Sequence, residues 1–227
     1  MNKEKTWRIT WLIVSFLILF ILGCGGKEHP KPWRKTFANG NAEFLRGNYT
    51  NAIRYFRDGE VMANVPGQAY NNIALCYLAL GEYAEAYKAL AEAVRHGAQP
   101  EAGVLMNKAV IERALGDTEQ AIRTLWEAMN KTKDPNFKAQ IAYNLGWLYE
   151  SSGDLKQAKA MFEDALQQSW MDKRTRDKAT VALGVVLAKQ GDTQSAIELF
   201  RNVANDPRAT SEAKEVAIHN LEALSRR

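Results

Sequence analysis

One short pattern recurs five times in this chain: Gly, a polar residue, three further residues, then Ala. It reads GNYTNA at 47–52, GEYAEA at 81–86, GDTEQA at 116–121, GDLKQA at 153–158 and GDTQSA at 191–196, with the glycines 34, 35, 37 and 38 residues apart. A period of that length holds two helices and a turn. One such unit cannot bury its own apolar side, so the copies must stack to make a core. Glycine between the helices tolerates the positive φ that ends the first of them. The Asn, Glu or Asp that follows favours the first turn of the second helix, through capping or the helix dipole. The alanine marks where the two helices cross closely. Four residues beyond it stand Phe56, Leu90, Leu125, Phe162 and Phe200, one turn along the same face, each stabilising the fold by roughly 1.5–3 kcal/mol if buried.

The pattern resembles the tetratricopeptide repeat over residues 33–227. The resemblance implies an all-α fold: a right-handed solenoid of about five helix–turn–helix repeats, closed by a C-terminal capping helix in SEAKEVAIHNLEALSRR. The fourth copy keeps Leu145, Gly146, Tyr149, Gly153, Ala158, Phe162 and Ala165 at family spacing. The second keeps Ile73, Ala74, Tyr77, Gly81, Ala86, Leu90 and Ala93, and the fifth Leu183, Gly184, Leu187, Gly191, Ala196 and Phe200. The third departs, with Lys108 at an apolar position and Glu112 where tyrosine is usual. The first has Asn39 at the leucine position and Gly59 at the later alanine position. The two longer intervals fall at NKTKDPN (130–136) and SWMDKRTRD (169–177), where added turn or loop residues are expected.

Ahead of the repeats the chain is of another kind. A basic start with Lys3, Lys5 and Arg8 precedes fifteen uncharged residues, Ile9 to Gly23. That is short of the roughly 20 apolar residues a bilayer-spanning helix needs, and fits a secretory signal. ILGC at 21–24 resembles the lipobox of bacterial lipoproteins, with Leu22 where a small residue is usual. The resemblance implies removal of residues 1–23 as a signal peptide and lipidation of Cys24, with residues 24–32 as a Gly/Pro/charged tether. The other reading is an uncleaved membrane helix with Cys24 near its end. Gly25 after the cysteine, in place of the Asp that retains such proteins at the inner membrane, points to an outer-membrane lipoprotein facing the periplasm.

The net charge of +4 falls to about +2 once residues 1–23 are set aside, and no long basic run occurs, so nothing points to nucleic acid. Lipidation of Cys24 leaves Cys76 without a disulfide partner; in NNIALCYLAL it reads as a small buried hydrophobe. His29, His96 and His219 are scattered, and no metal-ligand spacing, phosphate loop or nucleophile elbow is present. No enzyme, cofactor, metal or small-molecule substrate is indicated.

The resemblance also implies a concave face built from the first helix of each repeat. Ten residues before the turn glycines stand Phe37, Asn71, Met106, Tyr143 and Val181; six before stand Asn41, Leu75, Val110, Trp147 and Val185; nine before, Asn72, Asn107 and Asn144. The asparagine ladder suits pairing with a peptide backbone, since an amide both donates and accepts. It equally suits ordering of the helix stack. The apolar set, Leu75, Met106, Val110, Tyr143, Trp147, Val181 and Val185, suits a groove for an amphipathic or apolar peptide if open, and internal packing if closed. The basic clamp by which some family members hold a carboxylate is missing, because its positions carry Phe37, Asn41, Asn72, Gly103 and Asn107. The expected function is that of a membrane-anchored scaffold that binds a partner protein. Type IV pilus pilotins, which help a secretin reach and assemble in the outer membrane, are the lipoproteins it resembles. The alternatives are a multi-partner adaptor for peptidoglycan or outer-membrane assembly enzymes, and an accessory subunit of a membrane enzyme complex.

Overall fold

The computed structural model describes residues 32–63, 66–98, 101–167 and 172–226, and among them there are eleven α-helices and no strand. The helices are α1 (Pro32–Leu45), α2 (Tyr49–Ala63), α3 (Pro66–Leu80), α4 (Tyr83–Arg95), α5 (Glu101–Ala114), α6 (Thr118–Lys131), α7 (Pro135–Ser152), α8 (Leu155–Gln167), α9 (Lys173–Gln190), α10 (Thr193–Asn205) and α11 (Ser211–Ser225). The apolar run 9–23, Cys24 and the tether up to residue 31 lie outside the described residues. Two compact units divide the chain at the third turn glycine, Gly116. In the first, α1 to α5 pack each on the next; in the second, α6 to α11 do the same, and α11 also packs on α9.

Each turn forms at its glycine. Gly153 and Gly191 end α7 and α9 in the left-handed region, at φ 86° and 89°, and the other three turn glycines share that conformation. The carboxylates of Asp117, Asp154 and Asp192 then accept the N–H of Gln120, Gln157 and Ser195 at 2.9, 3.0 and 3.2 Å, capping the second helix of their repeats. The two non-aspartates behave otherwise. Glu82 makes no side-chain cap, and the Asn48 amide donates to Glu43 at 2.8 Å.

Close packing of each helix pair depends on a second set of glycines. A Cβ added at Gly40 would lie 2.7 Å from the Phe56 ring, at Gly146 2.6 Å from Phe162, and at Gly184 2.7 Å from Phe200. Each of these rings is at most 1% exposed. In the second repeat the same two places hold Ala74 and Leu90, both buried: a larger residue on one helix is matched by a smaller one on the other. The first repeat adds a further pair. Gly59 would bring a Cβ to 2.5 Å from Phe37, which explains its departure from alanine.

The two longer repeats have longer first helices; of the 169–177 segment, residues 169–171 lie outside the described residues. α7 and α9 have 18 residues each, against 15 and 14 for α3 and α5. The expectation of added loop at 130–136 is corrected on this point: only 132–134 are non-helical, because the Asp134 carboxylate accepts the Asn136 N–H at 2.8 Å and Pro135 opens α7. Asp172 likewise caps α9 by accepting the Thr175 N–H at 3.0 Å.

A polar cluster fixes the capping helix. Asp177, 2% exposed in α9, accepts from the Lys173 ammonium and from the Thr210 N–H at 3.2 Å. Lys173 also lies 3.1 Å from Asp206, and the Thr210 hydroxyl caps α11 by accepting the Ala213 N–H at 3.3 Å. The Arg208 N–H and then the Lys173 ammonium hold the Asp206 carboxyl down to about 2.

Two outcomes are expected. Gly146→Ala drives a methyl into the Phe162 ring and destabilises the protein by about 1–3 kcal/mol. Adding Phe162→Leu, which recreates the pairing of the second repeat, recovers much of that loss, so a double-mutant cycle read by denaturant unfolding shows strong coupling. Additive losses would refute the size-matching argument. Asp206 has a folded-state pKa below its unfolded value, so its contribution is complete above about pH 4 and is lost as the pH falls towards 2. Amide-exchange protection of α11 therefore falls over that window, and Asp206→Asn removes this pH dependence.

Candidate partner-binding faces

In the first unit most of the proposed lining is interior. Phe37 is 9% exposed, with Trp33 edge-on at 5.8 Å and the Phe56 ring at 5.7 Å. Leu75 and Met106 are buried as well. Asn107, 4% exposed, donates its amide to the Asn71 oxygen at 2.8 Å, joining α5 to α3. α5 thus covers this side of α3. Of the expected face, Asn72 and Val110 remain half-buried. The ladder is not a single row of amides: the bonded pair is Asn107 with Asn71, one position away from Asn72, and the signal for it was the presence of asparagine at both places.

The second unit presents more. Tyr143, Asn144 and Trp147 on α7 and Val185 on α9 are half-buried, while Val181 is buried at 7%. Tyr143 and Trp147 meet edge-on at 6.5 Å and both rest on the buried Phe162 ring, at 5.9 and 6.2 Å. Val185 packs against the same core. Phe162 thus serves both the Gly146 crossing and, through its other contacts, as the floor beneath two aromatic side chains. The helices are held in register by groups of which sequence spacing singled out Tyr149 alone. The Trp126 indole N–H donates to the Tyr149 hydroxyl at 3.2 Å, the Gln190 amide donates to the Leu155 carbonyl at 3.0 Å, and Lys189 pairs with Glu150.

The irregular third repeat is explained by pairing. Glu112, 4% exposed, has the Lys108 ammonium 3.5 Å away, one helical turn apart on α5, so the two exceptional residues form one feature. Cys76 is fully buried and burial pushes its thiol well above the ordinary range, which suits core packing. Among the described residues no cluster of three or more His, Cys, Asp or Glu could hold a metal ion, and no helix is long and apolar enough to cross a membrane.

Tetratricopeptide-repeat family models match residues 37–102, 100–169 and 143–210. Among curated proteins no sequence matches at a significant level. Similar solved structures include PilF of Pseudomonas aeruginosa, with 18% identity, a TM-score of 0.67, and coverage of 86% of this chain and 87% of that one. TTC0263, a thermophilic TPR protein of Thermus thermophilus, has 18% identity and a TM-score of 0.66, over 84% of this chain and 99% of that one. YrrB, described as a TPR protein with an unusual peptide-binding site, has 17% identity and a TM-score of 0.55, over 92% and 98%. Proteins of this fold bind protein or peptide partners and serve as scaffolds. With five turn glycines in register, paired helices at each, and family models matching most of its length, the chain belongs to the tetratricopeptide-repeat family.

Proposed function

We propose that this protein is a lipoprotein scaffold, anchored through Cys24, that binds an apolar or amphipathic segment of a partner protein on the first helices of its repeats. The observation that carries the reading is the group formed by Tyr143, Trp147 and Val185: half-buried, seated on a rigid core, and aromatic at its centre. Aromatic anchors on a fixed floor are the composition of binding hot spots. Asn144 beside them can pair with a partner's backbone without reading its sequence. Asn72 and Val110 offer a smaller face of the same kind in the first unit.

The finer reading is pilotin-like: the scaffold shields a hydrophobic segment of a secretin subunit while its acyl chains hold both at the outer membrane. The lipobox-like ILGC, the absence of Asp after Cys24, and the likeness in fold to PilF support it. Two acyl chains add about 0.8 kcal/mol per buried CH2, enough for stable attachment where a single chain binds marginally.

A photocrosslinking residue in place of Trp147 or Val185, with Lys156 on α8 as the control site, tests the face in the native host. One dominant adduct from the two face positions, identified as a secretin by mass spectrometry, is expected. Several unrelated adducts would favour the multi-partner adaptor, and the same adducts from Lys156 would remove the face from consideration. Trp147→Ala, with helicity retained by circular dichroism, is expected to weaken partner capture by roughly 30-fold, the loss of one hot-spot side chain.

A further inference from the structure

The end of the first unit at which α1 begins carries apolar side chains open to solvent. α1 and α2 run antiparallel, so the first turn of one lies beside the last turn of the other, and the Thr36 hydroxyl approaches the Met62 sulfur at 3.7 Å. Here Val61 is 86% exposed and Met62 60%, the two most exposed large apolar side chains among the described residues. Half-buried Trp33 has the Arg34 guanidinium 5.5 Å from its ring centre, and Lys35 next to it is exposed. The nearest acidic group in sequence, Glu60, is engaged with the Tyr70 phenol.

Apolar side chains beside a tryptophan and two cations have the composition of a surface that enters a lipid headgroup layer. There the indole sits at the boundary and Lys or Arg meets phosphate. The position in the chain agrees. α1 starts eight residues after Cys24, and eight residues reach at most about 28 Å, so no other end of a helix pair is tied as closely to the anchor by the chain. Residues 25–35 also carry Lys27, Lys31, Arg34 and Lys35 against Glu28 alone.

We propose that this end of the first unit rests on the anionic lipid surface in which Cys24 is anchored, with Val61 and Met62 entering the headgroup layer and Arg34 and Lys35 meeting lipid phosphates. The contact rests on the lipid-anchor reading above. It would fix which way the unit faces at the membrane, a property an anchor on a tether does not supply.

The full chain, produced in a bacterium that lipidates exported proteins and purified from its membranes, is labelled with a nitroxide at Val61→Cys, and at Lys156→Cys as control. Cys76 is buried and a lipidated Cys24 has no free thiol, so the label goes to the new site. The mass of the N-terminal peptide reports the lipid. In vesicles of two parts phosphatidylcholine to one part phosphatidylglycerol, the Val61→Cys label is expected to gain collisions with oxygen and lose them with a water-soluble nickel chelate, with the control unchanged. Lys35→Glu lowers the docked fraction at least about fivefold, the equivalent of one basic residue's attraction to an anionic surface. An unmodified Cys24 overturns the anchor reading and the contact with it. A lipidated chain whose Val61→Cys label stays as open to nickel as the control overturns the contact and leaves the anchor standing. Shielding that appears without vesicles and grows with protein concentration assigns the patch to a second copy of the chain, and overturns the contact too.

Discussion

The architecture depends on a steric match between two helices. Wherever a phenylalanine points from the second helix of a repeat towards the first, the first helix has no side chain to meet it, as at Gly40 with Phe56, Gly146 with Phe162 and Gly184 with Phe200. The ring fills the space a Cβ would take, which lets two backbones approach and yet buries a large apolar area between them. Interiors are packed too tightly for either partner to change alone. The crossing alanine four residues earlier, fully buried in all five repeats, keeps the backbones close at the adjoining turn. Stacking, burial of the core and the placement of every outward side chain follow from this contact.

Much of this was legible in the residues because it is periodic. The turn glycines, the alanines and the large apolar positions recur at fixed offsets, and each offset has one structural meaning. What was not legible depends on neighbours. Asp117, Asp154 and Asp192 cap as their chemistry suggests, whereas Glu82 has a longer side chain that makes no cap and Asn48 bonds to Glu43. Extra residues before the fourth repeat became helix because Asp134 and Pro135 together start one early. The binding face suffered most. Offsets from a glycine say which side of a helix a residue is on, but not whether the next repeat covers it, and α5 covers Leu75 and Asn71 on α3 where α9 leaves Tyr143 and Trp147 on α7 half-open.

The polar groups divide by task. Several buried ones tie elements of one unit together, as Asn107 does to Asn71 and as Asp177 does to Thr210. Each such pair satisfies groups that would be costly to bury alone. The half-exposed aromatic side chains are of the opposite kind, since Tyr143 and Trp147 are supported from beneath and retain open surface. A scaffold needs both: buried polar pairs that make its repeats unique in register, and apolar area that its own fold leaves uncovered.

The glycines of this chain do two different jobs, and chirality separates them. Gly146 is needed for room, since any Cβ meets the Phe162 ring, whichever residue bears it. Gly153, seven residues on, has φ 86° and nothing within 4 Å of the place a Cβ would occupy. It is needed for handedness alone. A mirror-image amino acid favours that conformation, so a D-alanine incorporated at 153 by chemical ligation would fit the turn and restrict the unfolded chain, stabilising it by roughly the 0.4–1 kcal/mol that backbone restriction brings. The L-residue that the ribosome offers in its place would be strained. At that turn, glycine is the genetic code's stand-in for an amino acid of the opposite hand.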